Sequence, residues 1–190
     1  MASGSASDPV QVRAVLIGTA DDASEDGITI TSIEHQRVHE GVTYSGSIFF
    51  ADVANDASKA LLLRTGGKDC HSIFGIEGGG DTRFRLYEGA VPSANGTAVT
   101  LYNLFRRSPN TPESTLYHTP TVGGGSEGTL LLDKLIPGGN GPQSGGGTLR
   151  RGTEWILKPA TVYYILATNI SGNTKDMSLE LEFYEHDEVI

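Results

Sequence analysis

Two stretches decide how the chain folds: Thr161 to Thr168, TVYYILAT, and Ser178 to Tyr184, SLELEFY. In the second, Leu179, Leu181 and Phe183 alternate with Glu180, Glu182 and Tyr184, the two-residue period of a strand with one apolar and one wet face. In the first, both alternating sets are apolar, Val162, Tyr164 and Leu166 against Tyr163, Ile165 and Ala167. A strand of this kind is covered on both faces, which places it centrally in a sheet with a second layer or a partner over its far side.

The same period recurs toward the N-terminus, in Ile28 to Ile33, Thr43 to Phe50, His71 to Glu77, Thr82 to Glu88, Thr97 to Phe105, Thr129 to Ile136 and Thr153 to Lys158. Eight or more short strands with turn residues between them predict an all-β fold, an antiparallel sandwich of jelly-roll-like type. Asp26-Gly27 and Asn95-Gly96 are dipeptides that hairpin turns favour, because both central residues need positive φ. A helix is expected only around Ala54 to Leu63, and the consecutive Leu61, Leu62 and Leu63 suit a strand from Ala60 equally well. Two glycine-rich loops interrupt the strands, Gly123 to Gly128 and Pro137 to Thr148. Residues Met1 to Pro9, small and polar, are expected to form a flexible arm ahead of one domain over residues 10–190.

Composition bounds function. A chain of 190 residues with one cysteine, Cys70, is large enough to bury a core without disulfides or a structural metal. The net charge of −9 disfavours a polyanion partner, so no nucleic-acid role is expected. The first twenty residues carry no basic region and no long apolar run, so neither secretion by the usual route nor membrane insertion is expected. Cys70 lacks a CxxC partner and is expected to be a buried or idle thiol. Asn95-Gly96-Thr97 and Asn169-Ile170-Ser171 match the glycosylation pattern but are read as turn and strand-end residues.

Several short patterns invite chemistry and fail on context. Gly124-Gly-Ser-Glu-Gly128 fits GxSxG, and Gly123, Gly125 and Gly128 fit GxGxxG, yet the residues that follow are strand-like, with no helix to complete either site. Gly66-Gly67-Lys68-Asp69 places an aspartate where a phosphate loop needs a hydroxyl. Asp22, Ser24 and Asp26 begin like a calcium loop, but Ile33 stands where the bidentate glutamate belongs. His35 and His39, if on a strand, would lie about 13 Å apart, too far to share a metal. His71, His118 and His186 are scattered. No catalytic residue, metal or cofactor is expected. A small sandwich hydrolase or cupin-type enzyme would need two or more histidines converging with a carboxylate.

Candidate interface residues are basic and aromatic: Arg83, Arg85 and Tyr87 on one strand face, Arg106 and Arg107 at a strand end, and Arg150, Arg151 and Trp155 after the second glycine-rich loop. Edge protection by charge is the competing account. From Lys175 to Ile190, Asp176, Glu180, Glu182, Glu185, Asp187 and Glu188 are expected to form a solvated acidic face.

Three stretches, IFGIEGGGDTRFRLYEGA, NGTAVTLYNLFRRSPNTPESTLYHTP and GGGTLRRGTEWILKPATVYYILATNISGNTKDMSLELEFYEH, together cover most of the chain from Ile73 to His186. In their order they resemble a family of small β-rich proteins of tailed bacteriophages, some of them head decoration or cement proteins. The resemblance implies a structural virion protein on the capsid surface, made in the host cytoplasm. It would bind between major capsid subunits and associate with itself, a homotrimer being the expected closed oligomer. The alternative is a glycan- or receptor-binding sandwich on the virion surface that uses Tyr87, Tyr102, Tyr117 and Trp155.

Overall fold

The computed structural model describes residues 33–138, the backbone of 147–150, and 154–186. The arm at Met1 to Pro9, Asp22, Ser24, Asp26, Arg151, Asp187, Glu188 and the middle of the second glycine-rich loop lie outside the described residues. The chain divides into two compact units, Met1–Gln36 and Arg37–Ile190, and the sandwich belongs to the second.

Among the described residues, twelve strands form two antiparallel sheets. They are β1 (Thr43–Val53), β2 (Ser58–Arg64), β3 (Asp69–Gly78), β4 (Thr82–Glu88), β5 (Thr97–Val99), β6 (Tyr102–Asn103), β7 (Thr115–His118), β8 (Thr129–Ile136), β9 (Gly147–Arg150), β10 (Trp155–Leu157), β11 (Val162–Asn169) and β12 (Lys175–His186). Sheet A runs β6-β1-β12-β3, with β10 and β9 paired to opposite ends of the free edge of β3. Sheet B runs β5-β7-β2-β11-β4-β8. The fold is an all-β antiparallel sandwich. With β5 to β7 set aside and β9 with β10 counted as one, the eight strand positions read 1-8-3-6 in sheet A and 2-7-4-5 in sheet B.

Alternation sorts the side chains as the sequence requires. Leu179, Leu181 and Phe183 of β12 point inward and join Phe74 and Ile76 of β3, Phe84 and Leu86 of β4, Leu61 and Leu63 of β2, and Tyr163 and Ile165 of β11 in one core. The run Leu61-Leu62-Leu63 is strand, because β11 lies against it residue by residue. Leu61 and Leu63 face the core, and Leu62 faces the opposite side. The far face of β11 is also covered, as its sequence demands. Tyr164 joins Ala60, Leu62 and Ala90 in a second buried cluster, with Tyr87, Tyr117, Val122, Val162 and Leu166 packed on it. The cover comes from the chain itself. The segments around Val91–Ala94 and Thr121–Ser126 are joined by Val91 N–H to Ser126 O (2.8 Å), Ser93 N–H to Thr121 O (2.9 Å) and Thr121 N–H to Ala94 O (2.9 Å).

Three expectations are corrected. The helix is not at Ala54 to Leu63 but at α1 (Ile33–Glu40), which takes up the last residue of the strand expected from Ile28. It ends in a Schellman turn, with Gly41 at φ +70°, Gly41 N–H to Val38 O at 3.0 Å and Val42 N–H to Arg37 O at 3.3 Å. His35 and His39 are therefore four apart on a helix rather than a strand, so the 13 Å separation does not apply. The single strand expected from Thr97 to Phe105 is two, β5 in sheet B and β6 in sheet A, because the chain crosses between sheets at Thr100 and Leu101. Asn103 then stops β6: its amide donates to Gly41 O (2.7 Å) and its Oδ1 accepts from Phe105 N–H (2.9 Å). Lastly, Glu185 does not belong to a solvated acidic face. It is buried and accepts from the backbone N–H groups of Glu113 (2.9 Å) and Ser114 (2.8 Å). Among the described residues no helix is long and apolar enough to cross a membrane.

Candidate functional site

The registers of sheet B line up an apolar row across all six strands on its outer face: Leu130 (β8), Tyr87 (β4), Tyr164 (β11), Leu62 (β2), Tyr117 (β7) and Ala98 (β5). The middle of the row is sealed by the loops just described. The β4–β8 end stays open: Leu130 is 48% exposed and Leu135, further along β8, is 54% exposed. Three of the sequence-predicted residues meet here. Tyr87 is half-buried beside Tyr164, ring centroids 6.0 Å apart. Arg85 reaches the Tyr87 hydroxyl (3.3 Å) and Thr168 Oγ1 (3.2 Å), while its buried Nε finds no acceptor among the described residues. Arg83 grips Asp133 of β8 through both its Nε, at 2.8 Å from Oδ1, and its Nη2. That hydrogen bond holds the Asp133 carboxyl below its ordinary pKa and raises that of Arg83.

The other candidates lie elsewhere. Arg106 stacks over Tyr102 (5.1 Å) and Arg107 over Phe105 (5.7 Å), both just after β6 at the edge of sheet A. Arg150 pairs its backbone with Gly75 at the opposite edge of that sheet. Trp155 is half-buried against the core between the sheets. The four aromatics considered for glycan binding are thus divided among the outer face of sheet B, the edge of sheet A and the core.

One constellation was not legible in the sequence. His71 on β3 and His186 on β12 face outward from sheet A, brought together by a register that pairs His71 with Tyr184 and Asp69 with His186. Their Nε2 atoms are 2.7 Å apart. His71 Nδ1 lies 2.9 Å from Glu154 Oε1, and the Tyr184 hydroxyl lies 2.9 Å from that nitrogen and 3.1 Å from that oxygen. Two histidines and a carboxylate do converge, but Glu154 addresses the far nitrogen of His71. Among the described residues no three His, Cys, Asp or Glu side chains are set to ligate one ion. Only strand register could have revealed the group, since His71 and His186 are 115 residues apart.

Cys70 is buried beside Ser72 Oγ (3.3 Å), and burial pushes its thiol up to about 12, which leaves no thiolate to react at neutral pH. Ser126, in the GxSxG match, lies in the covering loop and leads into β8, with no helix behind it. Comparison with protein families, with curated proteins and with solved structures gave no match.

Proposed function

We propose that this chain is a structural protein of a tailed-phage virion that decorates and stabilises the capsid, seated between major capsid subunits and self-associating as a trimer. It would act by contact alone, without catalysis, cofactor, nucleic acid or membrane. The observation that carries the reading is the open β4–β8 end of the outer face of sheet B. There Tyr87, Leu130 and Leu135 present apolar surface around Arg83 and Arg85, the combination of contact area and forked hydrogen bonding that protein interfaces favour. Two features support it. The strand order 1-8-3-6 and 2-7-4-5 supports a jelly-roll reading of the sandwich, an architecture common in viral shells. The stretches that resemble phage decoration proteins include β4, β5 to β7 and the central strands β11 and β12. The glycan-binding alternative has less to stand on, because its four aromatics do not form one platform.

The test is reconstitution. Purified shells lacking the protein should bind it saturably and gain resistance to heat, and the double variant Tyr87→Ser/Leu130→Ser should fold yet bind weakly. Absence of binding together with unchanged heat resistance overturns the reading, and retention on a glycan array would favour the alternative.

A further inference from the structure

The His71–His186 contact carries a separate inference, independent of the capsid reading. Two imidazole nitrogens 2.7 Å apart can hold only one proton between them, so at least one lone pair points at the other ring. Glu154 decides which. Its Oε1, 2.9 Å from His71 Nδ1, takes the N–H of that nitrogen and leaves the lone pair of His71 on Nε2, aimed at His186. The ring is held in that attitude: it stacks on Tyr184 (4.5 Å, 21° between planes) and its side chain is only 11% exposed. Both histidines sit on adjacent paired strands, which fixes the distance between their backbones.

We propose that His71 and His186 form a chelating pair for a divalent transition ion of the zinc, nickel or copper class, bound through both Nε2 atoms with water completing its shell. Bonds of about 2.0–2.1 Å in tetrahedral geometry ask for nitrogens about 3.3 Å apart, so the rings need to part by well under an ångström. His186 passes the proton from Nε2 to Nδ1 as the ion takes its place, with no net charge lost. Glu154 serves as the outer carboxylate that orients a ligating imidazole and raises its basicity. Two nitrogen donors select against calcium and magnesium, which want oxygen. Arg37, whose guanidinium lies 5.9 Å from the Tyr184 ring centroid, places a positive charge nearby and holds the affinity down.

The helix α1 supplies a built-in competitor, since His35 and His39 at i and i+4 could also chelate. The experiment is a titration of the full chain with zinc chloride, followed by calorimetry and by long-range proton–nitrogen spectra of the imidazoles. The Nε2 signals of His71 and His186 should move together with one-to-one stoichiometry while His118 stays still. His186→Gln, at a strand end where folding is not at stake, should abolish the isotherm. Glu154→Gln should keep the stoichiometry and weaken binding by about 10–100-fold, and the double variant His35→Gln/His39→Gln should bind like the parent. Binding that survives His186→Gln, that vanishes with the α1 variant, or that is not saturable at all overturns the proposal.

Discussion

The Tyr163 hydroxyl donates to Glu88 Oε2 at 3.0 Å and accepts from the Lys158 backbone N–H at 2.9 Å, so one buried phenol joins β4, β11 and the chain after β10. Its ring is part of the core, and Lys158 Nζ closes the arrangement on Glu88 Oε1 at 2.8 Å. Tyr163→Phe keeps the ring and removes the hydroxyl, leaving a backbone donor and a carboxylate oxygen short of a partner. The expected cost is about 1–2 kcal/mol, read as a lower urea midpoint at unchanged slope. A midpoint equal to the parent's would show that this hydroxyl joins nothing.

The same group sets an acid limit. The hydrogen bond from Lys158, helped by that from Tyr163, holds the Glu88 carboxyl below its ordinary pKa, as Gly67 N–H does for Glu113 and Arg83 for Asp133. A depressed carboxylate stabilises the fold above its unfolded pKa and loses that contribution as pH falls through the folded value. Stability should therefore decline below about pH 4–5, and Glu88→Gln should flatten that limb in thermal melts across pH. Burial raises the Tyr163 phenol instead, so its contribution is full below about pH 10 and is lost above it.

Glycines of the two turn regions should separate by position. Gly96 has φ +90°, and a Cβ there would fall inside the His118 carbonyl oxygen; Gly128, at φ +89°, meets the Glu88 carbonyl in the same way. Gly125 has φ +84° but open space, while Gly124 has open space and no positive φ. Alanine at Gly96 should cost more than about 2 kcal/mol and at Gly125 about 1, whereas Gly124→Ala should gain about 0.4–1 kcal/mol through the unfolded chain. Denaturation of the three variants checks the order, and equal effects would remove the argument.

Period-two alternation made most of the sandwich legible, because inward and outward residues of β12 and β4 differ in polarity and both faces of β11 are buried. What alternation lacks is the sheet to which a strand belongs. Thr97 to Phe105 alternates smoothly, yet the crossover at Thr100 and Leu101 sends its halves to different layers. The helix α1 escaped because none of its residues is buried, so no apolar stripe marks it, and its signals are confined to its ends: Glu34 in the first turn, Arg37 and His39 in the last, and Gly41 just beyond. Of the interface candidates, Arg83, Arg85 and Tyr87 come together because they share one strand. Those from distant segments do not, since their grouping depends on pairing that spacing cannot express. His71 and His186 are the converse case, a contact made by register alone.

Asn169, which the sequence marks only as a strand-end residue within Asn169-Ile170-Ser171, is the polar centre of the loop end beneath β1, β11 and β12. Its buried amide donates to Val53 O and Asn173 O, both at 2.7 Å, and its Oδ1 accepts from Ser171 N–H (3.0 Å) and Ser171 Oγ (2.8 Å). The backbone there adds Asp56 N–H to Asn169 O at 2.7 Å and Asn169 N–H to Ala57 O at 3.0 Å. Asn169→Ala takes the side-chain partner from the Val53 carbonyl and the Ser171 N–H and leaves Asn173 O only the Ser171 hydroxyl at 3.1 Å, and should cost about 3 kcal/mol. Asn169→Asp keeps the acceptor but turns oxygen toward oxygen at both carbonyls, and should be no better. Ser171→Ala, which removes the hydroxyl alone, should cost about 1 kcal/mol. Chemical denaturation and amide exchange at Asp56 and Ser171 read the difference: if Asn169→Ala stays within about 0.5 kcal/mol of the parent, this amide is not what holds the three segments together.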